Sequence, residues 1–323
     1  MRAAYYEKNG SAAEVLHIGE VATPTPGPGE VRVRLKTSGV NPSDVKTRAG
    51  TARKIAFPRV IPQSDGAGEI DTVGEGVAAS RIGERVWTWN GAWKRPFGTA
   101  AEYIVLPAAQ AVPLPRSISF EAGACLGIPA LTAWHAIDIA GVQKGTTLLI
   151  AGGAGAVAHY AIQFAKARGA SVIATVSSAE KAKVARDAGA DHTIDYKTEN
   201  VGERIAALTK GGVDAVIEID LTANAHLLPS VLRPRGTLVV YGTGPQAQFP
   251  ASFCLVNNIT VKFLLVYELT ADERARAIAD ITRMLEANTL EHNVAKTFSL
   301  AEIVAAHEYV EQGRAVGNVV VQV

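Results

Sequence analysis

The segment LLIAGGAGAVAHYAIQFAKARG at 148–169 runs an apolar strand into Gly153-x-Gly155-x-x-Ala158 and straight on into a helix. Glycine at 153 permits a tight turn, the missing side chain at 155 lets backbone approach a pyrophosphate, and Ala158 allows close helix-to-strand packing. The helix start, at Ala156 and Val157, offers amide donors and partial positive charge to phosphates. The spacing in this context predicts a dinucleotide site. A tightly packed glycine turn with no ligand is the alternative.

Which dinucleotide fits is read at the end of the next strand, where a carboxylate about 20 residues on would hold a ribose 2′-hydroxyl. Here that strand ends in Val176, Ser177 and Ser178, followed by Lys181. Two hydroxyls and an ammonium suit a 2′-phosphate, and no carboxylate repels it. NADPH is therefore expected over NADH. Lys181 also reads as a solvated helix residue, and Tyr196, after the third strand, as either an adenine-side wall or a core tyrosine.

These residues need elements to position them. After about residue 125, apolar strands alternate with helical patterns: TTLLIA, GAVAHYAIQFAKARG, ASVIATV, SAEKAKVARDAG, DHTIDY, GVDAVIEI, a helix around Ala223 to Leu232, and GTLVVYG. Alternation of this kind predicts a parallel sheet with helices on both faces. Before about Pro115 the runs EVRVRLKTSGV, GAGEIDTVGEGV and AAEYIVLP, punctuated by glycine and proline, predict a compact antiparallel β domain. Past Ile259 come the apolar run VKFLLV, an amphipathic helix from about Ala271 to Asn288 with Ile278, Ile281 and Leu285 inward, a strand near VAKTFSL, a second helix, and the strand GNVVVQV. These do not simply extend the alternating region, and a return to the first domain accounts for them.

The chain's 323 residues, 48% of them hydrophobic, suffice for one large or two ordinary domains. Thirty-two basic residues against 31 acidic ones give no electrostatic case for nucleic acid or an anionic membrane. A small-molecule partner is expected. Cys125 and Cys254 are the only cysteines, too few for a disulfide framework or a four-cysteine zinc lobe, and they read as buried free thiols. The N-terminus lacks the apolar core of a secretory signal, and the most apolar stretch, 147 to 165, is broken by glycines, His159 and Gln163. A soluble cytoplasmic protein is expected.

Further motifs are GVNPSDVKTRAG at 39–50, PQSDGAGEIDTVGEGV at 62–77, GTAAEY at 98–103, LGIPALTAWHAI at 126–137, SSAEK at 177–181, AGADHTIDY at 188–196 and the terminal GNVVV. Together with the glycine-rich turn they give a chain that resembles, over essentially its whole length, the zinc-independent, zeta-crystallin-like quinone oxidoreductases of the medium-chain dehydrogenase/reductase superfamily. The resemblance implies an α/β fold in which a doubly wound parallel Rossmann sheet is inserted in a GroES-like β-rich catalytic domain. It places the catalytic domain at 1–124 and 266–323 and the NADPH-binding domain at 125–265, with a homodimer formed through the latter. The cofactor positions it implies are Asn41, Pro42, Pro129, Thr132, Gly153, Gly155, Ala156, Val157, Ser177, Ser178, Lys181, Tyr196, Gly242 and Asn318.

Zinc-dependent relatives carry cysteine where this chain has Asn41, histidine where it has Ser64, and cysteine where it has Ile128. None of these three is a good zinc ligand, and no metal site is expected. What remains is direct hydride transfer to an acceptor that needs little activation, a quinone or a conjugated enone. Asn41 is the candidate amide donor to the developing oxyanion, the alternative being an asparagine that fixes the turn before Pro42. Thr132 matches a position near the nicotinamide ribose, or packs a helix. Lys46 and Ala52 stand where related bacterial reductases often carry tyrosines, so Lys46 either stabilises an anionic product or is simply exposed. Asn318 replaces the usual basic residue of the terminal strand, which weakens phosphate contact there. Trp87, Trp89, Trp93 and Phe97 occupy a loop-like stretch and either sandwich a flat quinone or pack the β domain. Two rival functions are reduction of an alkenal or enone double bond, and a low-turnover NADPH-binding protein with a sensor or RNA-associated role.

Overall fold

Strand β3 (Glu30–Val40) shows how the sequence writes the first sheet. Val31, Val33 and Leu35 alternate with Arg32 and Arg34, so the apolar side chains go inward and the arginines stay near water; from Thr37 to Val40 both faces are buried. Around β3 the sheet runs β14 (Val294–Ser299), β15 (Asn318–Gln322), β3, β4 (Asp65–Val73), β5 (Arg85–Thr88), β7 (Ala111–Pro113), with β6 (Tyr103–Pro107) also paired to β3. Pairing is antiparallel as expected, except that β14 and β15 run parallel, joined through the helix Ile303–Glu311. A two-stranded ribbon, β1 (Arg2–Tyr5) with β2 (His17–Glu20), completes the strands of this region. Ala3, Tyr6, Ile61, Phe298, Ile303 and Val319 share one core cluster, so residues from both ends of the chain fold together.

The second sheet has the order β10 (His192–Asp195), β9 (Ser171–Val176), β8 (Thr147–Ile150), β11 (Val213–Glu218), β12 (Leu232–Val240), β13 (Thr260–Phe263), every pair parallel. This is the doubly wound order 3-2-1-4-5-6. Its central strands are buried on both faces and read as unbroken apolar runs, TLLI and VIATV.

Two expectations change here. The VKF of VKFLLV does extend the alternating region, as the sixth, edge strand. The single helix expected from Ala223 to Leu232 is instead three short pieces, Leu221–Asn224, Ala225–Leu227 and Leu228–Val231, because Pro229 lacks an N–H and begins a new turn, while Leu232 already belongs to β12. The helix Ala271–Glu286 buries Ile281 and Leu285 fully, with Ala277 and Met284 beside them, and leaves Ile278 half-buried.

The computed structural model describes all 323 residues, in two compact units: Met1–Pro129 with Ile278–Val323, and Ala130–Ala277. No helix is long and apolar enough to cross a membrane. Cys125 and Cys254 are free and buried.

Candidate functional site

In the parallel-sheet unit, the glycine-rich turn leaves β8 and enters the helix Ala156–Ala167, capped by Gly155. The left-handed residue of the turn is Gly152, at φ 68°. Gly153 is required for packing: a Cβ there would lie 2.6 Å from the Cβ of Ala174 and 3.1 Å from that of Ala185. Thr175 holds the turn to β9, its hydroxyl accepting the Gly152 N–H at 3.1 Å and its carbonyl the Gly153 N–H at 2.9 Å. A Cβ on Gly155 would meet only the Gly152 carbonyl, at 3.2 Å, so its open side faces away from protein atoms. The first helical turn leaves N–H groups without intrahelical acceptors, here those of Ala156, Val157 and the buried Ala158. An open glycine beside free helix amides fits a pyrophosphate.

At the end of β9, Ser178 caps the helix Ala179–Asp187, its hydroxyl accepting the Lys181 N–H at 3.2 Å. That hydroxyl serves the fold first. Lys181 Nζ donates to Ser177 Oγ at 3.0 Å, an ammonium and hydroxyl presented together on half-buried side chains.

Tyr196 is 53% exposed and is no core residue. It borders a cavity of about 240 Å³ whose wall includes Leu149, Gly152, Thr175, Val216, Ile219 and Leu228. The same cavity is lined by Glu218, a residue the sequence reading passed over. Its carboxylate is buried at the end of β11, where Oε1 accepts the Asp220 N–H at 2.6 Å and Asn224 Nδ2 at 2.8 Å. Burial raises its pKa above the ordinary range against these hydrogen bonds. A carboxylate closing the apolar run AVI at the end of β11 was the available signal. Gly242, after β12, is dictated by backbone approach, since a Cβ would fall 1.9 Å from the Ile219 carbonyl oxygen. Thr132 is buried in the helix Leu131–Ile139, whose first seven residues are all buried.

In the other unit, Asn41 caps the helix Pro42–Ala49, with Pro42 at its first position. Its backbone N–H donates to Asp44 Oδ2 at 2.8 Å, and its side-chain Nδ2 donates to Asp65 Oδ2 at 2.8 Å. Asp65 is fully buried and its Oδ1 has no hydrogen-bond partner. Burial, with the nearby Asp44 charge, pushes its carboxyl well above the usual range, and burial raises Asp44 to about 7. The segment leading into β4 is strained: Gln63 sits at φ 76° and is buried, a conformation that costs about 1–3 kcal/mol and survives only where surroundings enforce it. Ser64 is buried, Ile128 is buried, and no group of three or more His, Cys, Asp or Glu side chains is placed to hold a metal ion.

The remaining positions scatter. Pro129 lies inside a π-helical turn, Leu126–Ala130. Lys46 is exposed. Asn318 is buried and its Nδ2 donates to the Asn293 carbonyl at 3.0 Å, so its amide is engaged within its own unit. Trp87 lies in strand β5 and is fully buried, in contrast to the expected loop, so it presents no face to a ligand. Trp93 carries the Arg53 guanidinium 4.1 Å from its ring centroid, and Phe97 is 44% exposed.

With this geometry described, comparison with known proteins gives a consistent picture. Residues 27–116 match the family described as alcohol dehydrogenase GroES-like domain, and 156–283 match zinc-binding dehydrogenase. A quinone oxidoreductase of Pseudomonas aeruginosa is 33% identical over 95% of both chains. A 2-haloacrylate reductase of Burkholderia sp. is 31% identical over 93% of both. Among solved structures, one titled as an NAD-dependent alcohol dehydrogenase superposes with a TM-score of 0.91 at 29% identity, and a mycobacterial protein complexed with NADPH with 0.88 at 28%, each covering 100% of both chains.

Proposed function

Since the chain belongs to the quinone oxidoreductase family of the medium-chain dehydrogenase/reductase superfamily, we propose that it transfers hydride from NADPH to a quinone, without a metal ion. The observation that carries the reading is the pairing of the open Gly155 turn with Lys181 and Ser177, at a strand end bearing no carboxylate. Gly155, Ala156 and Val157 would hold the pyrophosphate, Ser177 and Lys181 the 2′-phosphate, and Tyr196 the adenine side. Bound NADPH supplies the hydride. Asn41 would be the donor on the acceptor side, where charge develops on oxygen, and Asn41, Ser64 and Ile128 supply no ligand set for zinc.

A second reading, hydride addition to a conjugated carbon–carbon double bond, is favoured by the likeness to the 2-haloacrylate reductase. We assign residues 1–124 and 266–323 to the catalytic domain and 125–265 to the cofactor domain. The cofactor domain also supports a homodimer: β13 is a sheet edge, and Phe263, Leu265, Leu255 and Val256 around it are 54–78% exposed. Free buried thiols suit a reducing, cytoplasmic compartment.

Oxidation of NADPH and NADH followed against 1,4-benzoquinone, 9,10-phenanthrenequinone and an alkenal tests the reading. Turnover of the quinones with NADPH preferred, and that preference lost in Lys181→Ala, is expected. Tight NADPH binding without turnover of any acceptor would refute it.

A further inference from the structure

Between Asp44 and Asp65 the chain carries Lys46, Arg48, Arg53, Lys54 and Arg59 and no acidic residue. Two of these have carboxylate partners, Arg48 with Glu311 at 2.8 Å and Arg59 with Glu7 at 2.7 Å. Lys46, Arg53 and Lys54 have no carboxylate within ion-pair distance, and all three are exposed. In a chain of net charge +1, this is a local concentration of unpaired positive charge, which repels itself unless an anion visits.

Arg53 is held in place rather than trailing into solvent. Its guanidinium stacks on Trp93 at 4.1 Å, and its Nη2 lies 3.5 Å from Thr47 Oγ1 on the helix that Asn41 caps. Stacking orients the guanidinium plane and leaves its edge N–H groups available for a bidentate anion. Lys94, in left-handed backbone at φ 57°, reaches the same ring at 5.4 Å. The Arg53 charge extends to the Asn41 end of this helix, where it favours the ionised forms of Asp44 and Tyr6.

We propose that Arg53, aided by Lys46 and Lys54, binds an anionic substituent of the acceptor, a carboxylate or sulfonate. The preferred substrates are then conjugated carbonyl compounds carrying a negative charge. The inference rests on the hydride-transfer reading above and names its substrate class. The anion is only held: hydride adds to the conjugated acceptor, a proton from solvent completes the reduced product, and NADP⁺ is released. Arg53 contacts Thr47 on the helix whose start is capped by Asn41, the proposed acceptor-side donor, whereas the proposed phosphate contacts, Lys181 and the Gly155 turn, belong to the other unit.

The test compares 1,4-naphthoquinone with 1,4-naphthoquinone-2-sulfonate, which share a ring system and differ in charge. In Arg53→Gln the ratio of KM for the sulfonated over the neutral quinone should rise about tenfold, the value of one charge-assisted contact, and Arg53→Lys should recover part of it. The control Arg283→Gln, which removes an exposed charge on another helix, should leave the ratio at its wild-type value. An unchanged ratio in Arg53→Gln, an equal shift in the control, or an effect on the KM for NADPH in place of the acceptor would overturn the proposal. Quenching of tryptophan fluorescence by the sulfonated quinone gives the same comparison without turnover. Weaker quenching in Arg53→Gln sustains the anion site even where the hydride reading fails, and identical titrations reject it.

Discussion

Asn41 donates through Nδ2 to Asp65 Oδ2 at 2.8 Å, and both side chains are buried. The contact fixes which end of the carboxamide faces inward, and the Asp44 carboxyl also hydrogen-bonds the Asn41 side chain. Asp65 is thus a positioning residue for Asn41. Because burial favours the neutral carboxyl, Asp65→Asn should keep an acceptor for Asn41 and most of the turnover. Asp65→Leu removes the acceptor and should lower kcat about 10²-fold, the scale of an ångström-level misplacement, with the KM for NADPH unmoved. Equal losses in the two variants would contradict the positioning role; melting temperatures identify any loss that comes from unfolding.

Gly153 and Gly155 belong to one fingerprint and should behave differently. Gly153→Ala drives a methyl to 2.6 Å from Ala174 Cβ, overpacking that costs about 1–3 kcal/mol. Gly155→Ala sits at φ −75°, ordinary for alanine, and meets only a carbonyl at 3.2 Å. It should melt near wild type yet bind NADPH much more weakly. Calorimetry and an NADPH titration on both variants separate the two effects.

His307 is fully buried with neither ring nitrogen hydrogen-bonded, and burial, then the Arg48 charge, lowers it from 6.5 to about 3. Its neutral form favours the fold fully above pH 6.5, and this contribution is lost as pH falls from there towards 3. Asp44, raised from 3.8 to about 7, has the opposite sign: its contribution is full below 3.8 and lost as pH rises towards 7. The two slopes oppose each other between these limits. Removing one exposes the other. The stability difference between wild type and His307→Leu, from urea unfolding at pH 4.5 and 6.5, should grow with pH by about 1.4 kcal/mol per unit. A difference independent of pH would show that His307 does not titrate in this way.

The exposed edge of β13 predicts a dimer that a charge there would break. Phe263→Asp, at a side chain 66% exposed in the isolated chain, should sediment as a monomer where wild type sediments at twice the chain mass. A monomeric wild type would dismiss this interface.

Periodicity made the two sheets legible, because alternation in β3 and unbroken apolar runs in β8 and β9 record burial directly. It did not separate VKF from its neighbours, since a short exposed edge strand has no buried face to mark it. The glycine spacing located the turn but did not mark its left-handed residue, Gly152, because the fingerprint records spacing and not φ. Asn41 was singled out by its place where zinc-dependent relatives carry a cysteine. Its partner Asp65 was not, since a contact across 24 residues leaves no local pattern; Glu218 left only the weak local signal of a carboxylate closing an apolar run.

Hydride transfer to an acceptor oriented by Asn41 underlies the proposed function. Its most direct test is NADPH oxidation by 1,4-benzoquinone under single-turnover conditions, in wild type and in Asn41→Ala, with NADPH affinity measured in parallel. Rapid turnover is expected in wild type, with a loss of about 10²-fold or more in the variant, the scale of one oxyanion donor, and NADPH still bound. Equal rates in the two proteins, or no oxidation in either, would contradict it.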